Sequence, residues 1–286
     1  MWVYLNNRFV KDRDAKVSVF DRGFLYGDGV FETVRAYHGT LFRLEDHLRR
    51  LEQSARLIGL ALPIKRAGLE RIAYRALARN RLKQAILRIT VSRGVGPLQP
   101  ERNRRRPTLV VTARPLPDYP PSLYRKGAAV ILSSVRRNLP EALDPRIKSA
   151  NFLNNLLALR EAQARGAVEA ILLNHRGELT EGSVTNLFFI HRGVIHTPSI
   201  EVGILPGVTR QAVLELAKAM RLTTRTGFYK PDHLYHSREC FLTNTSLELL
   251  PVVRVNHRTV GTGRPGPLTR RLQEAFRKMV EEETYG

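Results

Sequence analysis

The chain has 286 residues, 43% of them apolar, and its 47 Lys and Arg against 26 Asp and Glu give a net charge of +21. That length and apolar content support a sizeable core, in two modest domains or one large one, and exclude wholesale disorder. No apolar run is long enough to cross a bilayer, the first ten residues read as a strand and not as a secretory leader, and the single Cys240 excludes an internal disulfide or a cysteine-rich metal site, so a soluble, cytoplasmic protein is the expectation.

Short strands are expected near 1–10, turning at Asn6-Asn7, and near 15–20. From Asp21 to Tyr37 a glycine-punctuated loop (Gly23, Gly27, Gly29) runs into an alternating segment. A phosphate-cradling loop would need a helix directly after it, so this stretch reads as a turn and a strand, with Phe31 and Thr33 on one strand face. After a turn at His38-Gly39-Thr40, Leu44, Leu48, Leu51, Ala55 and Ile58 recur at helical spacing and predict a helix over 44–60. On it Arg49 and Arg50 follow His47, and one of the two can point inward while the other is solvated. A second helix is expected over 65–80, then strands over 85–92 and 108–112. Arg88 interrupts the apolar run Ile86-Leu87-Arg88-Ile89, and two readings stay open: an inward Arg that wants an anion, or the polar phase of the alternation.

Between those strands, residues 93–100 form a connection that either overhangs a pocket or is a plain connector. Arg102-Asn103-Arg104-Arg105-Arg106 is the one dense basic cluster. The other basic residues are scattered and interleaved with Glu, and no helix-turn-helix, zinc-finger or aromatic RNA-binding signature accompanies them. Anionic small molecules and nonspecific adhesion therefore explain the charge better than specific nucleic-acid binding does. Residues 114–121, rich in Pro, have linker composition and place a boundary between a domain of residues 1–118 and one of residues 128–286, joined by 119–127. Beyond it, strands at 128–133, 170–174 and 187–191 alternate with helices at 151–165, 209–220 and 268–282, an α/β or α+β pattern.

Four features of this second half carry chemistry. Lys148, preceded by apolar Ile147 and followed by Ser149, Ala150 and a potential helix cap at Asn151, sits in the turn before a helix, where partial desolvation would favour a neutral, nucleophilic amine. Glu181 lies at a strand-to-turn junction beside Gly182, Ser183 and Thr185. Val208 and Thr209 open a helix, where free N–H groups and the helix dipole favour an anion, although Thr209 as a plain cap is the alternative. Thr243-Asn244-Thr245-Ser246 is a second hydroxyl-rich turn. An amine, a carboxylate and a phosphate cup together match what pyridoxal 5′-phosphate (PLP) demands.

On Ile147-Lys148-Ser149 with Asn151, Thr180-Glu181-Gly182-Ser183 with Asn186, and Pro206-Gly207-Val208-Thr209-Arg210, in that order, the chain resembles the class IV, fold type IV family of PLP enzymes. That family includes branched-chain and D-amino acid aminotransferases, (R)-selective amine transaminases and aminodeoxychorismate lyases. The resemblance implies a two-domain fold, a small N-terminal α/β domain and a larger C-terminal one, in a homodimer whose cofactor lies between the domains. It implies that Lys148 forms the internal aldimine and shuttles the substrate proton, that Glu181 pairs with the pyridine nitrogen, and that Arg50, Val208, Thr209, Thr245 and Ser246 hold the phosphate. Tyr26 and the 94–100 loop would be donated to the partner subunit's pocket, and Phe31, Thr33, Arg88 and Leu98 would meet the substrate.

The pattern around the substrate is a hybrid. D-amino acid aminotransferases carry an Arg-x-His pair where this chain has Leu98 and Pro100, and lyases tend to have Arg at the Leu98 position. Branched-chain enzymes share the arginine at Arg88, but usually have Gly at Thr33, Tyr at Ile86 and often Tyr at Phe152; Thr33 is a lyase feature. The expectation is a transaminase for aliphatic, branched-chain-like amino acids with 2-oxoglutarate as acceptor. A D-amino acid transaminase with a nonstandard carboxylate trap and a pyruvate-releasing lyase are the alternatives, and a basic nucleic-acid-binding protein on the same scaffold is the non-enzymatic one.

Overall fold

Residues 1–97 and 106–285 are described by the computed structural model; Leu98, Pro100 and most of the 102–106 arginine cluster lie outside the described residues. The chain divides into two units, one of Met1–Pro117 with Ile147–Phe152 and Val280–Gly286, the other of Asp118–Arg146 with Leu153–Met279.

The first unit is built on β1 (Trp2–Leu5), β2 (Arg8–Lys11), α1 (Arg22–Tyr26), β3 (Gly29–Tyr37), β4 (Thr40–Leu41), α2 (Leu44–Leu57), α3 (Arg66–Asn80), β5 (Ala85–Ser92) and β6 (Thr108–Pro115). Its six strands pair antiparallel in the order β2-β1-β6-β5-β3-β4. The β1–β2 hairpin turns where expected, with Asn6 in the left-handed region at φ 55°, which asparagine tolerates. The strand expected near 15–20 is not formed. A 3-10 turn at Asp12–Asp14 ends β2, and Val17, Val19 and Phe20 remain 46%, 62% and 67% exposed, because no neighbouring strand gives their alternation a face to bury. The expected turn at Asp21 is one helical turn, α1, with Asp21 Oδ1 accepting from Gly23 N at 2.8 Å and Gly27 closing it at φ 68°.

One face of this sheet presents Val30, Val34 and Ala36 from β3 and Leu87, Ile89 and Val91 from β5. Against it lie Leu44, Leu48, Leu51 and Ala55 of α2 and Leu69, Ile72, Ala73, Ala76 and Leu77 of α3, all buried, as their spacing requires. Each fully buried Leu, Ile or Val contributes about 1.5–3 kcal/mol. Helix α2 stops at Leu57, three residues before the expected end, and lets Leu60 turn back into the core. The chain returns to this unit at Ile147–Phe152: Lys148 O accepts from Phe31 N at 2.9 Å and Ala150 N donates to Gly29 O at 2.8 Å, an extended bridge along β3.

The second unit contains α4 (Pro121–Lys126), β7 (Ala128–Arg136), α5 (Leu153–Ala164), β8 (Glu169–Leu173), β9 (Leu179–Gly182), β10 (Asn186–His191), β11 (Val194–Pro198), α6 (Val208–Ala219), β12 (Thr224–Gly227), α7 (Pro231–Tyr235), β13 (Glu239–Asn244), β14 (Glu248–Val255), β15 (Arg258–Thr259) and α8 (Pro267–Thr284), whose last residues belong to the first unit. Its nine-stranded sheet runs β12-β11-β10-β13-β14-β7-β8-β9, with β15 on β14. The pairs β11–β12, β14–β7 and β7–β8 are parallel and the others antiparallel. Helix α5 lies on β7 and β8 through Ala158 and Ala162, small enough for close approach, which leaves every residue of β8 buried. Because 148–150 are paired with β3, α5 cannot begin at 151; it begins at Leu153, and Asn151 is not at its cap position. Cys240 is buried in β13, and burial pushes its thiol up, away from reactivity.

Leu87, fully buried between β3 and β6, tests the first unit's core: Leu87→Ala should lower unfolding free energy by about 2–5 kcal/mol in urea titration without changing the folded far-UV spectrum.

Candidate active site

Lys148 is held by its backbone from two sides. Its N–H donates to Ser54 Oγ of α2 at 3.1 Å and its carbonyl accepts from Phe31 of β3. Ile147, partly buried, packs on the core of the first unit. The Lys148 Nζ stands 4.6 Å from the centroid of the Phe31 ring, and Phe152 meets that ring edge-on at 5.7 Å. Phe31 and Thr33 share the sheet face opposite the core, as expected. In the antiparallel register Thr33 faces Arg88 and Phe31 faces Thr90.

That register decides between the two readings of Arg88. Its neighbours Leu87 and Ile89 are buried in the core, so Arg88 stands on the other face with Phe31 and Thr33. Solvent reaches the residue, but its guanidinium lies 3.7 Å from the Phe31 centroid, with Nε donating to Thr90 Oγ1 at 3.2 Å. Partial burial there holds its pKa below the usual arginine value, opposed by Glu32. The Arg88 guanidinium and the Lys148 amine thus share one aromatic ring, and the guanidinium favours an incoming carboxylate. Tyr26, in α1, is half exposed and has no hydrogen bond or ring contact with this group among the described residues; Leu98 lies outside them.

Beneath this face is a buried charge cluster. Arg50 points inward and Arg49 outward, where it meets Glu45 and Asp46. Arg50 grips Glu32 as a fork, Nε to Oε1 at 2.7 Å and Nη2 to Oε2 at 2.9 Å, and Glu32 is fully buried. His47 Nδ1 lies 2.8 Å from Glu32 Oε2. Burial works against the Glu32 charge, but Arg50 and His47 overcome it and hold the carboxyl well below the usual carboxylate range. Burial pulls the His47 pKa down, so a neutral imidazole donates its Nδ1–H to an anion that Arg50 already balances. Arg50 was expected to hold phosphate; two of its nitrogens are engaged by Glu32. Glu32 and His47 were not singled out from sequence. The signal was the acid in the core-facing phase Val30-Glu32-Val34, with His47 and Arg50 one helical turn apart.

In the second unit Glu181 is 4% exposed at the end of β9, not a surface turn residue. Arg137 Nε donates to its Oε1 at 2.9 Å, while Asn186 Nδ2 and Leu205 N donate to Oε2 at 3.3 and 3.0 Å. Arg137 was also missed, since a lone arginine after a strand carries no pattern. Asn186 further donates to Leu205 O at 3.0 Å and so ties Glu181 to the segment that enters α6. At the start of α6 the cap position is Gly207, where a Cβ would lie 1.9 Å from Asn186 Oδ1, so Thr209 is not the cap. Val208 and Thr209 are in the first turn, where backbone N–H groups have no intrahelical acceptor and an anion is favoured. Thr245 and Ser246 occupy the turn after β13, whose shape is set by Asn244 Oδ1 accepting from Ser246 N at 2.9 Å and Leu247 N at 2.7 Å.

The fold therefore assembles the sequence-derived residues in two sets, each within its own unit: Lys148, Phe31, Thr33, Arg88 and Arg50 in one, Glu181, Val208, Thr209, Thr245 and Ser246 in the other. The first offers an amine and carboxylate-binding cations, the second an ionised acid and anion-binding N–H and hydroxyl groups. That donor chemistry fits a group carrying an aldehyde, a basic ring nitrogen and a phosphate.

Comparison with known proteins agrees. The family model described as Amino-transferase class IV matches residues 29–255. A putative branched-chain-amino-acid aminotransferase of Methanocaldococcus jannaschii is 39% identical over 278 residues, 97% of this chain and 96% of its own length. A D-alanine aminotransferase of Staphylococcus aureus is 35% identical over 289 residues, 99% of each chain. The crystal structure of the Escherichia coli branched-chain amino acid aminotransferase superposes with a TM-score of 0.95 at 31% identity, covering 99% of this chain and 95% of that one.

The buried cluster sets an acid dependence. His47 has its pKa lowered from 6.5 on folding, so the stability it allows is full above that value and is lost as pH falls below it. Glu32, also lowered, loses its contribution below 4.5. Melting temperature should fall from pH 7 to 5 and again below 4.5, and His47→Gln should shrink the first drop alone. Glu32→Ala, which strands Arg50, should cost about 3–5 kcal/mol at pH 7 in urea titration.

Proposed function

Since the chain belongs to the class IV aminotransferases, which depend on PLP, we propose that it moves the amino group of an aliphatic, branched-chain-like amino acid to a 2-oxo acid such as 2-oxoglutarate. The observation that carries this reading is the Phe31 ring with Arg88 and Lys148 upon it: an apolar floor for the substrate body beside a cation for its carboxylate.

When bound, PLP supplies an electron sink for the substrate α-carbon. Lys148 would hold the cofactor through its amine, and its Nζ would carry the substrate α-proton. Its backbone bonds to Ser54 and Phe31 keep that amine in place. Glu181, ion-paired with Arg137, would pair with the ring nitrogen. Arg50, and in the second unit the N–H and hydroxyl groups of Val208, Thr209, Thr245 and Ser246, are the groups that would hold the phosphate. Phe31, Thr33 and Arg88 would line the substrate side, Arg88 orienting the carboxylate, and Tyr26 would be donated to the partner subunit's pocket. The enzyme is a cytoplasmic homodimer, supported by the exposed apolar run Val17, Val19, Phe20, Phe24 and Leu25 and by the lack, among the described residues, of any helix long and apolar enough to cross a membrane.

The test is the near-visible spectrum of the purified protein as L-leucine and then D-alanine are added without acceptor. L-leucine should bleach the cofactor band toward pyridoxamine phosphate. Bleaching by D-alanine alone would move the enzyme to the D-amino acid class. A band untouched by both, with pyruvate released from aminodeoxychorismate, would make it a lyase. Lys148→Ala should abolish the band, and Arg88→Ala should raise KM for the amino acid about tenfold or more with a smaller change in kcat.

A further inference from the structure

Glu169 opens β8 at 2% exposure, and among the described residues no Lys, Arg or His hydrogen-bonds it or pairs with it. Its carboxylate is instead wrapped by the chain. Oε1 accepts from Ala170 N at 2.8 Å, from Ser183 N at 3.0 Å and from Ser183 Oγ, and Oε2 accepts from Val184 N and Thr185 Oγ1, each at 3.1 Å. Desolvation raises its pKa above the usual carboxylate value, and these donors offset only part of the rise. A group so costly to bury is retained where it shapes something.

What it shapes is the bend Ser183–Thr185, which begins two residues after Glu181. A Cβ on Gly182 would meet Thr185 Oγ1 at 2.0 Å and Glu169 Oε2 at 3.0 Å, so the bend is closed tightly around the carboxylate. Two chains of hydrogen bonds leave it. Ser183 O accepts from Asn155 Nδ2 at 2.6 Å; Asn155 Oδ1 accepts from Arg137 Nη1 at 3.3 Å; and Arg137 reaches Glu181. Val184 O accepts from Asn244 Nδ2 at 3.2 Å, and the other end of that amide forms the turn that carries Thr245 and Ser246.

We propose that Glu169 is a positioning residue for cofactor binding: by folding the 183–185 bend it sets both the Arg137–Glu181 pair and the Thr245–Ser246 turn. The inference rests on the reading that Glu181, Thr245 and Ser246 hold PLP, and it assigns Glu169 no contact with cofactor or substrate. Glutamine has nearly the same shape but presents an NH₂ group to donors, so Glu169→Gln should open the bend while leaving β8 in the sheet.

The experiment is equilibrium dialysis of the full chain against PLP, with the melting temperature of each PLP-free sample, for wild type, Glu169→Gln, Ser183→Ala and Leu172→Ala. Leu172 is a fully buried neighbour on β8 outside the bend, and its truncation lowers stability through a cavity. Glu169→Gln should weaken PLP binding about tenfold or more and Ser183→Ala by a few-fold, while Leu172→Ala melts earlier with nearly unchanged Kd. If Glu169→Gln does not fold, Ser183→Ala against Leu172→Ala decides. Unchanged affinity in the bend variants, or equal weakening in Leu172→Ala, overturns the proposal while wild-type binding stands. A wild type that takes up no PLP overturns the reading of the site itself, and the proposal with it.

Discussion

A buried carboxylate gripped by a buried guanidinium orders the first unit. Glu32 on β3 and Arg50 on α2 are both out of water, and neither could be there alone: a lone buried charge would cost several kcal/mol. The fork between them fixes the helix on the strand in one register, with the Leu44, Leu48 and Leu51 stripe against the sheet. The same register puts Ser54 where it meets the Lys148 backbone, and the odd-numbered face of β3, Phe31 and Thr33, beside Arg88. The pair adds little net stability compared with an apolar substitute of the same volume. Its effect is to tie α2 to β3 through a directional, two-point contact.

The second unit uses the same physics twice. Glu181 is buried in an ion pair with Arg137, and Asn186 and Leu205 also donate to its carboxylate. Glu169 is buried with no cation paired to it among the described residues, and its carboxyl group is held by backbone N–H groups and hydroxyls. The two solutions suit different ends. An acid proposed to act on a ring nitrogen would keep its charge through a strong counter-ion, while an acid that shapes a bend needs many directional donors around it.

Much of this was legible. Leucine spacing gave α2, and alternation gave β3 and β5. The segments Ile147-Lys148-Ser149, Thr180-Glu181-Gly182-Ser183 and Pro206-Gly207-Val208-Thr209 carry the residues proposed for the site. What escaped were the residues whose meaning is a partner elsewhere in the chain: Glu32, His47, Arg137 and Glu169 each look ordinary in their own segments. The expected strand at 15–20 failed for the same reason in reverse, since an alternating segment becomes a strand only when another strand lies beside it.

The sequence by itself determined the element types, the family and the chemical inventory, because periodicity, glycine and proline placement and local motifs depend on neighbours along the chain. The direction of Arg88, the inward turn of Arg50, the start of α5 after a stretch claimed by β3, and the two buried acids were decided only by the tertiary structure. Each depends on which distant backbone or charge removes a polar group from water, and that energy belongs to pairs that no single segment contains.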